Sequence, residues 1–313
     1  MKKKELLLYL DIPFCPVHCK HCDKPAVAPH PDLRQQYVHA LWKEVQASAG
    51  SVDDYEVKAI WIGGGIAGHM FDDTLLRLLK QLRQWYSITD GTEITLKVHP
   101  GMVSAETMKL CQQGKVTRLS IEYVTGNVFE YENLGRFLNP RAMDVTKMIL
   151  AGQKQELSFD IIAGLPGQSE ISLKESLQTV LDCGACHISL HPYESKADTA
   201  LTKEWEQNGE QLQKNLRKHL PDAEELTRLL TMSSELLTQH GMVEYLPGQW
   251  ALPGKECTYY VAEAASAECL AFGLGAESCL DGIRSWNTSD LSCYLQYAPD
   301  PSKIICRMEH FPG

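Results

Sequence analysis

The 313-residue sequence predicts an α/β protein, an incomplete (β/α)6 barrel with a small C-terminal extension. Three observations carry this. Apolar, strand-like segments recur between amphipathic helical patterns, as in βαβ units around a parallel sheet. No Gly-x-Gly-x-x-Gly follows the first strand, so the repeat is not that of a doubly wound dinucleotide fold. Gly63 to Gly65, Asp160 and His191 fall near strand ends, where the ligands of a barrel gather.

The elements follow in order. Leu6 to Ile12 is an apolar run short enough for a buried strand, and Asp32 to Ala49 has the period of an amphipathic helix. Val57 to Ile62 is a second strand, ended by three glycines and followed by a helix from Asp72 to Trp85. Glu93 to Val98 and Thr117 to Tyr123 are strands on either side of a helix that Ser104 caps and that runs to Gln113. Pro140 suits the first turn of a helix over Arg141 to Ala151. Leu157 to Ile162 and His187 to Leu190 are the fifth and sixth strands, flanking a helix from Leu173 to Leu181. Thr202 to Lys218, rich in Glu, Gln and Lys, reads as a linker, and Asp222 to His240 as a helix stopped by Gly241. From Met242 to about Asp281 short strand-like pieces with Gly and Pro suggest a cover over the barrel. Residues 1–200 are thus expected to form the barrel, and 201–313 a helical linker and extension.

Composition excludes several classes. Forty acidic against thirty basic residues leave a net charge of −10 without a basic block, which lacks the footprint of a nucleic-acid binder. The apolar run after Lys4 breaks at Asp11 and Pro13, too short for a signal peptide, and no stretch approaches a membrane span. The expectation is a soluble, cytoplasmic protein without a membrane partner. Eleven cysteines, an odd count at this length, point to free thiols and metal ligation rather than a disulfide framework.

Three of those cysteines stand within eight residues, in Cys15–Pro16–Val17–His18–Cys19–Lys20–His21–Cys22. The C-x3-C-x2-C spacing lets one loop bring three thiolates to one inorganic centre, the usual ligand set of an iron–sulfur cluster. Three thiolates leave one iron of a [4Fe-4S] cluster open to a substrate or cofactor. A structural zinc would need a fourth ligand, which His18 or His21 could supply.

The segment Tyr9-x-Asp11–Ile12–Pro13–Phe14–Cys15-x3-Cys19-x2-Cys22–Asp23 resembles the opening of radical S-adenosylmethionine (SAM) proteins. The branch it resembles is that of oxygen-independent coproporphyrinogen III oxidase and the related haem chaperones (HemN-like and HemW-like). Further segments resemble that family in order. They are Trp61 to Gly65, the turn His99–Pro100–Gly101, the strand Arg118 to Ile121, Leu134–Gly135–Arg136, Phe159 to Gln168, and the strand His187 to Leu190. The resemblance spans about residues 5 to 295.

It implies a radical SAM barrel that uses a [4Fe-4S] cluster and S-adenosyl-L-methionine as cofactors. Cys15, Cys19 and Cys22 would bind the cluster. Gly63, Gly64 and Gly65 would let backbone approach the SAM methionyl group, and Tyr9, Lys97, Arg136, Asp160 and Ile162 would line SAM. Arg136 would offer its fork to a carboxylate and Asp160 would accept from the ribose hydroxyls. Tyr9 and His191 are the candidate catalytic residues, His191 as a proton donor or acceptor at the cavity mouth. The implied partners are a small organic substrate and a reducing electron donor such as flavodoxin or ferredoxin. The implied reaction is hydrogen abstraction leading to methyl transfer, cyclopropanation or oxidative decarboxylation; the alternative is a cluster-bearing haem chaperone.

The chain departs from the family where SAM would lie. Ile66 and Ala67 replace a Thr-Pro pair, Lys97 replaces a Glu, and Val124 stands where a Gln is usual. A non-catalytic barrel is the reading these departures would support. Lys97 is expected to face either the SAM carboxylate or Glu122 on the next strand. Glu122, Glu130 and Glu132 otherwise read as a solvated acidic face. Cys183-x2-Cys186 reads as an incidental or structural thiol pair, with an auxiliary cluster shared with Cys257, Cys269 or Cys279 as its alternative.

Overall fold

The computed structural model describes residues 3–65, 72–137, 139, 141–215 and 217–310. Six parallel strands stand side by side in chain order: β1 (Lys4–Ile12), β2 (Tyr55–Gly64), β3 (Ile88–Val98), β4 (Arg118–Val124), β5 (Glu156–Ala163) and β6 (His187–Pro192). Helices α1 (Pro31–Ser48), α2 (Asp73–Trp85), α3 (Ala105–Gly114), α4 (Val128–Asn133), α5 (Ala142–Leu150) and α6 (Glu170–Asp182) fill the crossovers. This is the incomplete barrel of six βα units that the sequence predicts.

Local chemistry sets the helix boundaries. The Asp72 carboxylate accepts from the amides of Thr74 and Leu75, and Ser104 caps α3 by accepting from Thr107. Ser169 and Ser172 form a reciprocal capping box that opens α6. Pro140, expected to open the helix over Arg141 to Ala151, and the departure at Ile66 both lie outside the described residues.

Strand alternation divides the interior in two. Leu6, Leu8, Leu10 and Ile12 of β1 point out of the curve and pack under the helices in the main core. Leu7 points inward and joins Ala59, Trp61, Cys257, Tyr259 and Ala262 in a second cluster. The last three come from the C-terminal part, whose helix α9 (Thr258–Ala264) lies inside the curve of the sheet against β1 and β2.

The C-terminal part does more than cover the barrel. After α7 (Ala200–Gln213) and α8 (Ala223–Gln239), strands β7 (Val243–Leu246) and β8 (Gln249–Ala251) join the β6 edge in antiparallel pairing. Strand β9 (Glu268–Phe272) then pairs parallel with β1 at the opposite edge. Strands β10 (Glu277–Leu280), β11 (Ile283–Asn287) and β12 (Ile305–His310) continue outward from it, with α10 (Leu291–Tyr297) between the last two. The result is one twelve-stranded sheet.

Two sequence expectations change here. The supposed linker Thr202–Lys218 is mostly α7: Glu, Gln and Lys are good helix formers, and the Thr199 hydroxyl caps the turn by accepting from Thr202. The strand-like run after Met242 is interrupted by α9, whose Tyr259–Tyr260–Val261 favours a strand by propensity. Packing of both tyrosines on Trp61, at ring distances of 5.5 and 5.1 Å, overrides it.

Deep in the barrel Arg118, 1% exposed, ties the extension to the core. Its Nε donates to Glu93 at 3.1 Å, and one terminal nitrogen donates to Glu156 at 2.6 Å and to the carbonyls of Lys255 and Glu256.

Candidate cluster and SAM site

The C-terminal ends of the barrel strands open into a cavity of about 490 Å³. Its wall begins where β1 runs into the cysteine loop. That loop is stapled at its base: the Cys15 amide donates to the Val27 carbonyl at 3.0 Å, and the Val27 amide to Pro13 at 2.8 Å. Further along, the Lys20 amide donates to Leu134, and the Lys20 carbonyl accepts from Leu201. Held in this way, Cys15, Cys19 and Cys22 all line the cavity. Among the described residues no three His, Cys, Asp or Glu side chains close on a single point, as the ligands of one metal ion do.

Opposite the loop, neighbouring strands present a row of charges. Lys97 of β3, Glu122 of β4 and Asp160 of β5 share the inner face, and Arg136 enters from the segment after α4. The Lys97 ammonium lies 2.9 Å from Glu122 and 3.7 Å from Asp160. The Arg136 guanidinium pairs with the other Glu122 oxygen, and its Nε donates to the Cys19 sulfur. Side-chain exposures of 25% for Lys97, 16% for Glu122, 15% for Asp160 and 11% for Arg136 place all four in poorly solvated surroundings. Burial alone pushes the Glu122 carboxyl up, yet the two cations hold it well below the usual carboxylate range. Burial raises Asp160, partly offset by Lys97, and Ser120 donates to both of its oxygens at 3.3 Å. Burial likewise raises the Cys19 thiol, while the Arg136 charge opposes the rise. Lys97 thus meets Glu122, one of its two expected partners, while still lining the cavity.

The other predicted residues take distinct positions. Tyr9 lines the cavity and its hydroxyl donates to Asp11 at 3.4 Å. Ile162 and the exposed His191 also line it, His191 at its rim. Gly64 and Gly65 reach the cavity, but Gly63 lies behind them against the Trp61 indole. The glycines have a local requirement that the sequence did not reveal. A Cβ on Gly64, at φ 92°, would stand 2.3 Å from the Asp11 carboxylate, and one on Gly65 would stand 2.8 Å from the Ile12 carbonyl. Their smallness therefore seats β2 against the root of the cysteine loop.

Val124 also lines the cavity, at φ 65°, a conformation a β-branched residue rarely adopts. The Thr125 amide donates to the Tyr123 carbonyl across it at 2.8 Å, so β4 ends in a tight three-residue turn. Strain of this kind is held in place by surrounding structure, and it sits here in the cavity wall. At the end of β3 the His99 ring accepts from the Gly101 amide at 3.3 Å and meets the Tyr131 hydroxyl at 3.0 Å.

Two of the glutamates assigned to a solvated face are turned inward, Glu122 half-buried and Glu130 buried. Glu122 holds the row just described, and Glu130, 1% exposed, accepts from Thr125 and from Gln168. Only Glu132 faces solvent. Glu122 lies two residues beyond inward-facing Ser120 on the same strand, and this period of two is the signal that marks it. Trp61, Lys196 and Tyr260 also line the cavity without having been singled out. Cys183 and Cys186 lie away from it; Cys186 contacts the Leu157 carbonyl, while Cys257 rests on Glu93 and Cys269 on Tyr259.

The donor set suits the implied cofactors. Three thiols on one loop match a cluster with an open iron. Two buried nitrogens at the cavity, His21 Nδ1 and one terminal nitrogen of Arg136, have no hydrogen-bond partner and await an acceptor or donor. Two cations beside two carboxylates complement a zwitterionic amino-acid end.

Comparison with known proteins agrees. No family model matches the chain. It is 26% identical over 281 residues to the heme chaperone HemW of Haemophilus influenzae, covering 88% of this chain and 70% of that protein. It is 25% identical to an anaerobilin synthase of Escherichia coli, covering 93% of this chain and 64% of that protein. The fold matches coproporphyrinogen III oxidase (HemN) of Escherichia coli, a radical SAM enzyme, with a TM-score of 0.82 at 20% identity over all of this chain and 73% of that one. Motif order and sequence make the chain similar to heme chaperones named HemW, and its fold is that of HemN, a radical SAM enzyme.

Proposed function

We propose that the chain binds a [4Fe-4S] cluster through Cys15, Cys19 and Cys22 and holds S-adenosylmethionine against Lys97, Glu122, Arg136 and Asp160, in order to act on a small organic molecule at the cavity mouth. The observation that carries this reading is the joining of the three thiols and the paired charges in one cavity at the strand ends. Held by Cys15, Cys19 and Cys22, a [4Fe-4S] cluster would supply the electron for reductive cleavage of bound SAM.

The protein's own residues orient and shield. Arg136 and Lys97 supply positive charge for a carboxylate, and Asp160 accepts from hydroxyls. Trp61 and Tyr260 give the cavity an apolar wall that limits water. Tyr9 keeps its proton, because burial pushes its phenol well above the ordinary value, so it acts as a hydrogen-bond donor. His191 at the rim is placed to exchange a proton with a substrate held at the mouth.

A second reading is favoured by the names of the relatives, which include several heme chaperones. In it the cluster and SAM site serves a haem-carrying protein. Anaerobic reconstitution with SAM and a reductant separates the two. Formation of 5′-deoxyadenosine with S-adenosylhomocysteine supports methyl transfer, and 5′-deoxyadenosine alone supports hydrogen abstraction. A tight one-to-one haem complex without either product would favour the chaperone and displace the enzymatic reading.

A further inference from the structure

The charged row on the inner face ends at a cysteine. Lys97 contacts Glu122 at 2.9 Å, Glu122 pairs with Arg136, and Arg136 donates to the sulfur of Cys19. Each link competes with the next. The Arg136 guanidinium divides its hydrogen bonds between a carboxylate and the Cys19 sulfur, and whatever lessens the pull of that carboxylate strengthens donation to the sulfur. Lys97 is the group that lessens it, and all of this takes place where water screens little. Asp160, 3.7 Å from the Lys97 ammonium, is the other carboxylate that competes for Lys97.

We infer that Lys97 acts as a positioning residue for the cluster: through Glu122 and Arg136 it sets the charge and hydrogen bonding felt by Cys19, and so the ease with which the cluster accepts an electron. The inference rests on the cluster reading above and adds a regulator to that site. Reduction adds negative charge to a cluster, so a nearby cation or a hydrogen bond to its sulfur favours the reduced form. Lys97→Met removes a cation and leaves Glu122 to draw on Arg136 alone; both effects disfavour reduction. Glu122→Gln removes the competing anion and frees Arg136 for Cys19; both effects favour it. The two changes therefore shift the cluster in opposite directions, which simple loosening of the barrel cannot do.

The test is a potentiometric titration of the anaerobically reconstituted full chain, followed by electron paramagnetic resonance of the reduced cluster. Lys97→Met is expected to lower the ratio of reduced to oxidised cluster at a fixed potential about tenfold, a shift of about 59 mV for one electron. Glu122→Gln is expected to shift the midpoint upward, and Lys97→Arg, which keeps the charge, to leave it near the wild-type value. Iron content and melting temperature confirm that each variant is folded and loaded. Unchanged midpoints, or shifts of one sign in Lys97→Met and Glu122→Gln, overturn the relay while leaving the cluster reading intact. A wild-type chain that takes up no cluster overturns both.

Discussion

The Tyr37 hydroxyl donates to the Asp11 carbonyl at 2.8 Å and accepts from the Leu274 amide at 2.9 Å, so one phenol on α1 joins the last turn of β1 to the C-terminal extension. Asp11 stands four residues before Cys15, and the Tyr37 ring packs edge-on against Phe14 at 5.4 Å. The root of the cysteine loop is therefore anchored from behind. Tyr37→Phe keeps the ring and strands two buried backbone groups, for an expected loss of about 1–3 kcal/mol in urea unfolding. A loss near zero would mean that water replaces the hydroxyl.

Arg118 serves two carboxylates and two carbonyls inside the barrel. Arg118→Met should destabilise the protein by about 3–5 kcal/mol, since Glu93 would lose its buried ion-pair partner and Glu156 would keep only Lys255. Lysine in its place cannot serve four acceptors from one point, so Arg118→Lys is expected to recover only part of the melting temperature.

Glu44, buried in α1, accepts from the Gly273 amide, the Asn287 amide group and the Tyr294 hydroxyl. Burial pushes its carboxyl up to about 7 despite these three donors. With the folded value raised, its contribution is full below the unfolded value of about 4.3 and is lost as pH climbs through about 7. His21 and His187, lowered by burial to about 4 and about 3, oppose this trend, so the informative quantity is a difference between proteins. The stability of Glu44→Gln relative to wild type should rise from pH 5 to pH 8. A difference independent of pH would show that Glu44 does not titrate in that range.

Each single alanine at Cys15, Cys19 or Cys22 is expected to abolish the brown absorbance of the reconstituted protein, because two thiolates cannot hold four irons. Cys183→Ala combined with Cys186→Ala should leave it unchanged, as both lie outside the cavity. Iron analysis of the purified variants reads the outcome directly.

Asp160→Ala tests the SAM pocket. Loss of hydrogen bonds to a carboxylate costs about 1.5–3 kcal/mol, so calorimetry should show SAM affinity roughly ten- to a hundredfold weaker with the cluster retained. Equal affinity in a loaded Asp160→Ala protein removes that residue from the SAM contacts.

The strands, the helix caps and the cysteine loop were legible because each rests on local chemistry: a period of two, an Asp or Ser ahead of an apolar run, a tight thiol spacing. The Lys97–Glu122 pair was legible as one of two alternatives, but the solvated reading of Glu122 and Glu130 failed, since a glutamate beside others looks exposed until Arg136 or Gln168 arrives from a later part of the chain. The glycine triplet was assigned to ligand approach alone, and the tight fit of Gly64 and Gly65 against Asp11 and Ile12 across a strand pairing was not legible. Nothing near Thr202 marked a helix strongly, because good helix formers also compose linkers. The pairing of β9 with β1 joins distant parts of the chain, and no motif announces it.

That pairing has a consequence for biosynthesis. As the chain leaves the ribosome, β1 emerges ahead of β2 and pairs with it soon after, yet its other edge must wait for Glu268–Phe272. Through most of translation the strand that carries the cysteine loop presents a free row of backbone donors and acceptors, the kind of edge that recruits stray chains. The nascent protein is most vulnerable on the side from which the loop projects, and chaperone protection or metal delivery that acts before the last strands appear meets an unfinished wall. Truncation just ahead of β9 would leave every cysteine of the loop in place and still expose that edge permanently, so such a product should accumulate in inclusion bodies.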